Sequence, residues 1–125
     1  MILLDTHILL SVLGQVDLVL PEAIQREVLS MNGTSVSVVS IWEIAIKHRI
    51  GKMRLAFTVE KLPLMIERQE ITILDITSYH TLAAIGPEPI TKDPFDRLLL
   101  GVCAAEGMRL LTIDKALVDH PLAWR

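Results

Sequence analysis

The sequence predicts an α/β domain with a mainly parallel sheet, on three observations. Short apolar runs alternate with longer segments of helical character along the chain. Hydrophobic residues make up 51% of the sequence and the mean hydropathy is +0.47, as expected where parallel strands are buried on both faces. The length of 125 residues suits one domain, over residues 1–125. Strand–helix alternation of this kind folds through right-handed crossovers into one sheet.

In the first half of the chain we predict a strand over residues 1–5, helices over 6–13 and 22–31, a strand over 34–39 and a helix over 40–50. The apolar runs set the strands, and turn-forming residues set the ends of the helices. Pro21 opens the second helix, and Asn32 with Gly33 ends it. Gly51 is the expected end of the third helix.

In the second half we predict a loop over residues 52–58, helices over 58–69, 77–85, 93–107 and 114–119, strands over 71–75 and 108–113, and a short edge strand in the tail 122–125. Pro63 either occupies the first turns of its helix or kinks it. Asp93 and Pro94 fit an N-cap followed by proline at the first helical position.

Composition and charge restrict the classes of function. The net charge is -3 and the pI about 5.7, which counts against a broad basic surface that coats nucleic acid. A nuclease remains compatible with this charge, because carboxylates at a metal site lower it. Cys103 is the one cysteine in the sequence, so no disulfide forms within the chain. The four histidines lack zinc-type pairing.

The apolar segments also bear on location and assembly. The first apolar stretch is interrupted at Asp5 and is too short to span a bilayer. With no targeting segment evident, we expect a soluble cytoplasmic protein without membrane contact. The apolar excess also indicates a subunit interface, and hence a homodimer, with the helices over 22–31 and 58–69 as candidate surfaces.

Four acidic residues lie where an apolar run gives way to a helix-starting segment. They are Asp5, Glu43, Asp96 and Asp114. If the runs are parallel strands, these acids converge at one end of a sheet, where open α/β folds place their active sites. Clustered carboxylates repel one another unless a cation neutralises them, and oxygen ligands select hard cations such as Mg²⁺ or Mn²⁺. The sequence therefore predicts a metal site, with phosphoryl chemistry.

Each of these acids also has a structural explanation. Ser40 and Glu43 fit a capping box, while Asp5 and Asp114 are suited to cap helices. Capping and metal binding are compatible, because a helix N-terminus stabilises a negative side chain. Asp93 and Asp96 compete for one role, and we favour Asp96 as the site acid with Asp93 capping the helix or lying beside the site.

The residues around these acids carry a resemblance to a known family. The matching stretches are Leu3-Leu4-Asp5-Thr6-His7, Ser40-Ile41-Trp42-Glu43-Ile44-Ala45-Ile46-Lys47, Lys92-Asp93-Pro94-Phe95-Asp96-Arg97-Leu98-Leu99 and Leu110-Leu111-Thr112-Ile113-Asp114. In this order they resemble the PIN-domain family, and within it the VapC-type toxin ribonucleases of toxin–antitoxin systems. They cover nearly the whole chain.

The resemblance implies a three-layer α/β/α fold with a central sheet of four to five strands. It also implies Mg²⁺- or Mn²⁺-dependent cleavage of RNA and inhibition by a cognate antitoxin protein. Carried over by position, the catalytic and metal-binding acids of the family fall on Asp5, Glu43, Asp96 and Asp114. The hydroxyl residues beside the first and last acids fall on Thr6 and Thr112.

An RNA substrate needs positive charge near the acids. The candidates are Lys47, Arg49, Lys92 and Arg97. Lys47 and Arg49 are equally consistent with a solvated helix C-terminus, where cations are favoured. Arg97 is equally able to pair with a neighbouring acid.

Two other functions compete with the nuclease. The first is a non-catalytic PIN-like module that binds a partner protein or RNA. The second is a phosphatase- or receiver-like domain that uses Asp5 as a nucleophile or phosphate acceptor. Phosphatases of the haloacid dehalogenase type require a second Asp two residues later, where His7 stands here. The presence of all four acids favours the enzyme over the binding module.

Overall fold

A sheet of four parallel strands lies at the centre of the computed structural model, which describes residues 1–30 and 33–125. The strands are β1 (Ile2–Leu4), β2 (Thr34–Ser37), β3 (Thr72–Leu74) and β4 (Arg109–Leu111). Their order in the sheet is β3-β2-β1-β4. The first strand of the chain is therefore internal, paired with β2 on one side and β4 on the other.

Helices connect the strands and lie on the sheet. They are α1 (Thr6–Val12), α2 (Glu22–Ser30), α3 (Val38–Arg49), α4 (Leu62–Arg68), α5 (Ser78–Leu82) and α6 (Pro94–Glu106), with a 3₁₀ turn at Val59–Lys61. The predicted α/β class with a parallel sheet is confirmed. No helix among the described residues is long and apolar enough to cross a membrane.

Successive residues of β1 are buried on opposite faces of the sheet, as the pleat requires. Ile2 and Leu4 pack with the apolar side chains of α1, α2 and α4. Leu3 packs with those of α6. The sheet thus separates two hydrophobic cores, and this explains why β1 is apolar without alternation.

The start of α3 differs from the prediction. The predicted strand 34–39 ends at Ser37, and Val38 already belongs to the helix. Ser37 is the N-cap, since its hydroxyl accepts a hydrogen bond from the backbone N–H of Val39 at 3.0 Å. The predicted capping box of Ser40 and Glu43 is therefore wrong, and Glu43 lies in the second turn of α3 with its side chain free for other contacts.

Other boundaries shift as well. Pro63 lies in the first turn of α4, so the segment 58–69 divides into the 3₁₀ turn and a shorter helix. The predicted helix 114–119 is wrong, because these residues form turns. The predicted tail strand is reduced to one parallel bridge, between Leu110 and Ala123. The predicted end of the second helix at Met31 and Asn32 lies outside the described residues.

The two ends of α6 follow the prediction closely. Asp93 is the N-cap and accepts from the Phe95 backbone N–H at 2.9 Å, and Pro94 is the first residue of the helix. At the other end Gly107 adopts the left-handed conformation, with a φ of 67°, which glycine adopts without steric cost. These caps fix where α6 begins, and so where Asp96 lies.

Gly101 allows α5 to approach α6 closely. A Cβ atom at this position would collide with the backbone carbonyl oxygen of His80 in α5. The side chain of His80 also contacts α6, because its Nε2 atom lies 2.7 Å from Oε1 of Glu106. The packing of α5 therefore depends on the absence of a side chain at residue 101.

We predict that Gly101→Ala destabilises the protein by about 1–3 kcal/mol, the usual cost of overpacking. Without a collision, a glycine-to-alanine change inside a helix raises the free energy of unfolding by about 1 kcal/mol. A decrease in that free energy therefore indicates the collision. Urea unfolding measures the change. Ala105→Gly, at an exposed position of the same helix, calibrates helix propensity there. A stabilised Gly101→Ala variant would show that the close contact is absent.

Candidate active site

Asp5 lies at the carboxyl end of β1 and is held by both neighbouring elements. Its backbone N–H donates to the Leu111 carbonyl oxygen at 2.9 Å. Its carboxylate accepts from the Thr6 backbone N–H at 2.7 Å and from the Thr112 hydroxyl at 2.6 Å. With 4% of its surface exposed, the carboxylate is fixed at both oxygens at the edge of the sheet.

Thr6 connects this acid to Glu43 of α3. The Thr6 hydroxyl donates to Oε1 of Glu43 at 2.6 Å and lies 2.9 Å from the Ser40 hydroxyl. A hydroxyl has one proton, and a carboxylate only accepts, so Ser40 supplies the proton of the second bond. Thr6 therefore positions Asp5 through its backbone and Glu43 through its side chain, which links α1 to α3.

Glu43 has a second partner that the sequence analysis missed. Its Oε2 atom lies 2.6 Å from Nζ of Lys47, one helical turn further along α3. The spacing of four residues, with the acid first, is the favoured arrangement for such a pair on a helix, and it was the available signal. Lys47 thus enters the site as a partner of a buried acid. Its part in RNA contact remains a prediction.

Asp93 and Asp96 have separate surroundings in the first turn of α6. Asp93 is half-buried, caps the helix and receives a backbone bond from Phe95. Asp96 is buried, and its nearest hydrogen-bond donor is the Thr91 hydroxyl, 3.4 Å from Oδ2. Asp93 is thus occupied as a cap, whereas the Asp96 carboxylate keeps most of its capacity to accept bonds.

Asp114 lies after β4, beside Thr112. Its backbone N–H donates to the Thr112 hydroxyl at 3.0 Å, and its carboxylate accepts from the Ala116 backbone N–H at 2.9 Å. The Thr112 hydroxyl in turn donates to Asp5. Asp114 therefore caps a turn, where the sequence predicted that it would cap a helix. The Thr112 hydroxyl connects this acid to Asp5.

The acids interact through their charges. Burial, and after it the negative charges of Asp93, Asp5, Asp114 and Glu43, together raise the pKa of Asp96 to about 7. Burial also raises the pKa of Asp5, although the bonds from Thr112 and Thr6 lower it in part. The four predicted site acids are thus close enough to repel one another, and their negative charge is incompletely compensated.

The same negative charges favour the charged form of Lys47. Burial lowers the pKa of Lys47, but the hydrogen bond and charge of Glu43 outweigh it, with help from Asp93 and Asp96, so that the net shift is upward. The ammonium is therefore held in its charged form near acids from two helices.

The donor set suits a hard divalent cation, since the buried acids and threonines offer only oxygen. Among the residues that the structure describes, no three His, Cys, Asp or Glu side chains form a ready-made metal site.

The remaining RNA-contact candidates are distributed differently. Arg49 and Lys92 are exposed. Arg97 is bound to Glu88, with Nε 2.5 Å from Oε1, and to the Ala83 carbonyl oxygen at 3.1 Å. The expectation that Arg97 pairs with a neighbouring acid is confirmed, and this arginine holds the loop before α6.

We predict that the metal-free protein loses stability as the pH rises from about 4 to about 7. The pKa of Asp96 is about 7 in the folded protein and about 4 in the unfolded chain. The folded state therefore binds more protons across this range, which favours folding at low pH and disappears above pH 7. Mg²⁺ or Mn²⁺ will restore stability at pH 8 far more than at pH 5.

Thermal unfolding in EDTA and in each metal tests this pH dependence. Asp96→Asn should flatten it, whereas Asp17→Asn, at an exposed position, should leave it unchanged. An equal slope in wild type and Asp96→Asn would contradict the assignment of the raised pKa to Asp96.

A PIN domain family model matches residues 2–121 of the chain. No curated protein matched the chain at a significant level. PIN domains are generally nucleases. Because the match spans all four strands and the candidate acids, the chain belongs to the PIN domain family.

Proposed function

We propose that this chain is an Mg²⁺- or Mn²⁺-dependent endoribonuclease that hydrolyses RNA phosphodiester bonds. The observation that supports this best is the burial of Asp5, Glu43 and Asp96 side by side. They come from three parts of the fold, and burial, followed by the charges of neighbouring carboxylates that include Asp5 and Glu43, raises the pKa of Asp96. Buried, uncompensated carboxylates of this kind suit a divalent cation, which could in turn bind a phosphate, and the PIN fold supports nuclease chemistry.

In the proposed mechanism Asp5 and Asp96 would hold the metal, Glu43 would ligate a second ion or orient the attacking water, and Asp114 would do likewise from the other side. A bound divalent ion polarises the scissile phosphate and lowers the pKa of water. The Thr112 hydroxyl and the Thr6 backbone keep the Asp5 carboxylate from turning away. These fixed bonds reduce the reorganisation that the reaction requires.

Arg49 and Lys92 are the proposed phosphate contacts, because both are exposed. Arg49 lies on α3, which carries Glu43, and Lys92 lies just before α6, which carries Asp96. Each lost contact to a single strand reduces the slope of log affinity against log salt by about 0.7. The double change Arg49→Glu and Lys92→Glu should therefore reduce that slope by roughly 1.4.

RNA binding measured between low and high salt, in an Asp5→Asn background to prevent cleavage, tests these contacts. Arg68→Glu, at an exposed site on α4, is the control. If the double variant has the same slope of log affinity against log salt as the control, Arg49 and Lys92 do not contact the RNA.

We further propose that the protein is the toxin of a VapBC-type pair and acts in the cytoplasm, held inactive by a cognate antitoxin. The motifs around Asp5, Glu43 and Asp96 support this assignment. A homodimer is proposed on α2 and α4, where Leu29 and Leu64 expose apolar surface of the kind that subunit interfaces bury.

We predict that Asp5→Asn lowers RNA cleavage by more than about a hundredfold. Changes to groups that merely support metal ligands already cost 10–100-fold, and Asp5 is proposed to bind the metal itself. Cleavage of a panel of structured RNAs is measured with Mg²⁺, Mn²⁺ or EDTA. The matched control is Asp75→Asn, an exposed acid that follows β3 at the same edge of the sheet.

Metal-dependent cleavage that Asp5→Asn abolishes and Asp75→Asn retains supports the enzyme. Cleavage by Asp5→Asn at the wild-type rate would contradict the site. Absence of cleavage by folded, antitoxin-free protein in either metal would favour a PIN-fold module that binds RNA or protein.

A further inference from the structure

Lys47 brings a fixed positive charge into the acidic site. Its Nζ atom lies 2.6 Å from Oε2 of Glu43, and 32% of the Lys47 side chain is exposed against 5% for Glu43. The ammonium is also attracted by Asp93 and Asp96 of α6. It is therefore paired with Glu43 of α3 and lies within range of the charges at the start of α6.

Other cations near the acids lack this position. Arg97 is engaged by Glu88, and Arg49, Lys92 and His7 are exposed. Within the described residues, Lys47 is the cation that forms an ion pair with one of the four proposed ligands. Lys47 is thus the ion-paired cation of the site, while the charge of His7 acts on Asp5 from an exposed position.

Glu43 has an engaged partner at each oxygen. Thr6 donates to Oε1 and Lys47 donates to Oε2. Sites with two metal ions hold them about 3.5–4 Å apart among shared ligands. An ion bound through Glu43 would have to displace the ammonium or accept a like charge at close range in a partly buried site, where such repulsion is poorly screened.

We propose that Lys47 takes the place of a second metal ion, so that the site binds one divalent cation. The inference rests on the proposed metal-dependent function and specifies its ion count. Lys47 acts through Glu43 and is thus a positioning residue: it neutralises this acid and leaves Asp5 and Asp96 as the residues that would be the principal ligands.

Mn²⁺ binding to the intact protein tests the inference, with calorimetry for stoichiometry and paramagnetic resonance for spin coupling between ions. We expect one uncoupled Mn²⁺ per chain in wild type. Lys47→Met, which keeps the length of the side chain and removes its charge, should bind two Mn²⁺ with coupled spins. Lys47→Arg, which keeps the charge, should bind one.

Lys52→Met makes the same change of net charge at an exposed loop position and should bind one ion, as wild type does. Two ions in wild type, or one ion in a folded Lys47→Met variant, would overturn the inference while leaving the metal-dependent nuclease intact. Absence of Mn²⁺ binding in wild type would overturn both. The wild-type stoichiometry remains decisive if Lys47→Met does not fold.

Discussion

The parallel pairing of β1 with β2 and β4 is the constraint on which the rest of the structure depends. Because β1 is internal, the backbone of Asp5 bonds to Leu111 of the neighbouring strand and its side chain meets Thr112. The carboxyl ends of the strands then face the starts of α1 and α3. Acids far apart in the sequence are thereby buried together, at an edge where the backbone alone cannot neutralise them.

Hydroxyl groups allow that burial. Thr6, Ser40 and Thr112 connect the acids without adding charge, so they fix the carboxylates and leave the negative potential in place. A site held by arginines would be more stable without metal but would have less affinity for one. Burial, together with the charges of the neighbouring carboxylates, raises the pKa of Asp96 to about 7, because its ionised form lacks a counter-charge there.

Lys47 modifies this balance from within α3. Its bond to Glu43 gives one acid a permanent partner, while Asp96 remains almost without donors. The four acids are therefore unequal, although the sequence motifs present them as one set. That inequality distinguishes Glu43, which has an ion-pair partner, from Asp96, which has only one long hydrogen bond.

The sequence by itself determined the α/β class and the caps of α6, and it singled out the four candidate acids. Apolar runs mark buried strands, and proline and glycine mark the ends of a helix locally. It misplaced the start of α3, since Val38 and Val39 suit a strand as well as a helix and only the Ser37 cap decides between them. It also predicted a helix over 114–119 that is a set of turns. Tertiary structure alone decided which acid is paired, which caps and which lies unneutralised, because those properties depend on contacts between α1, α3, α6 and β4.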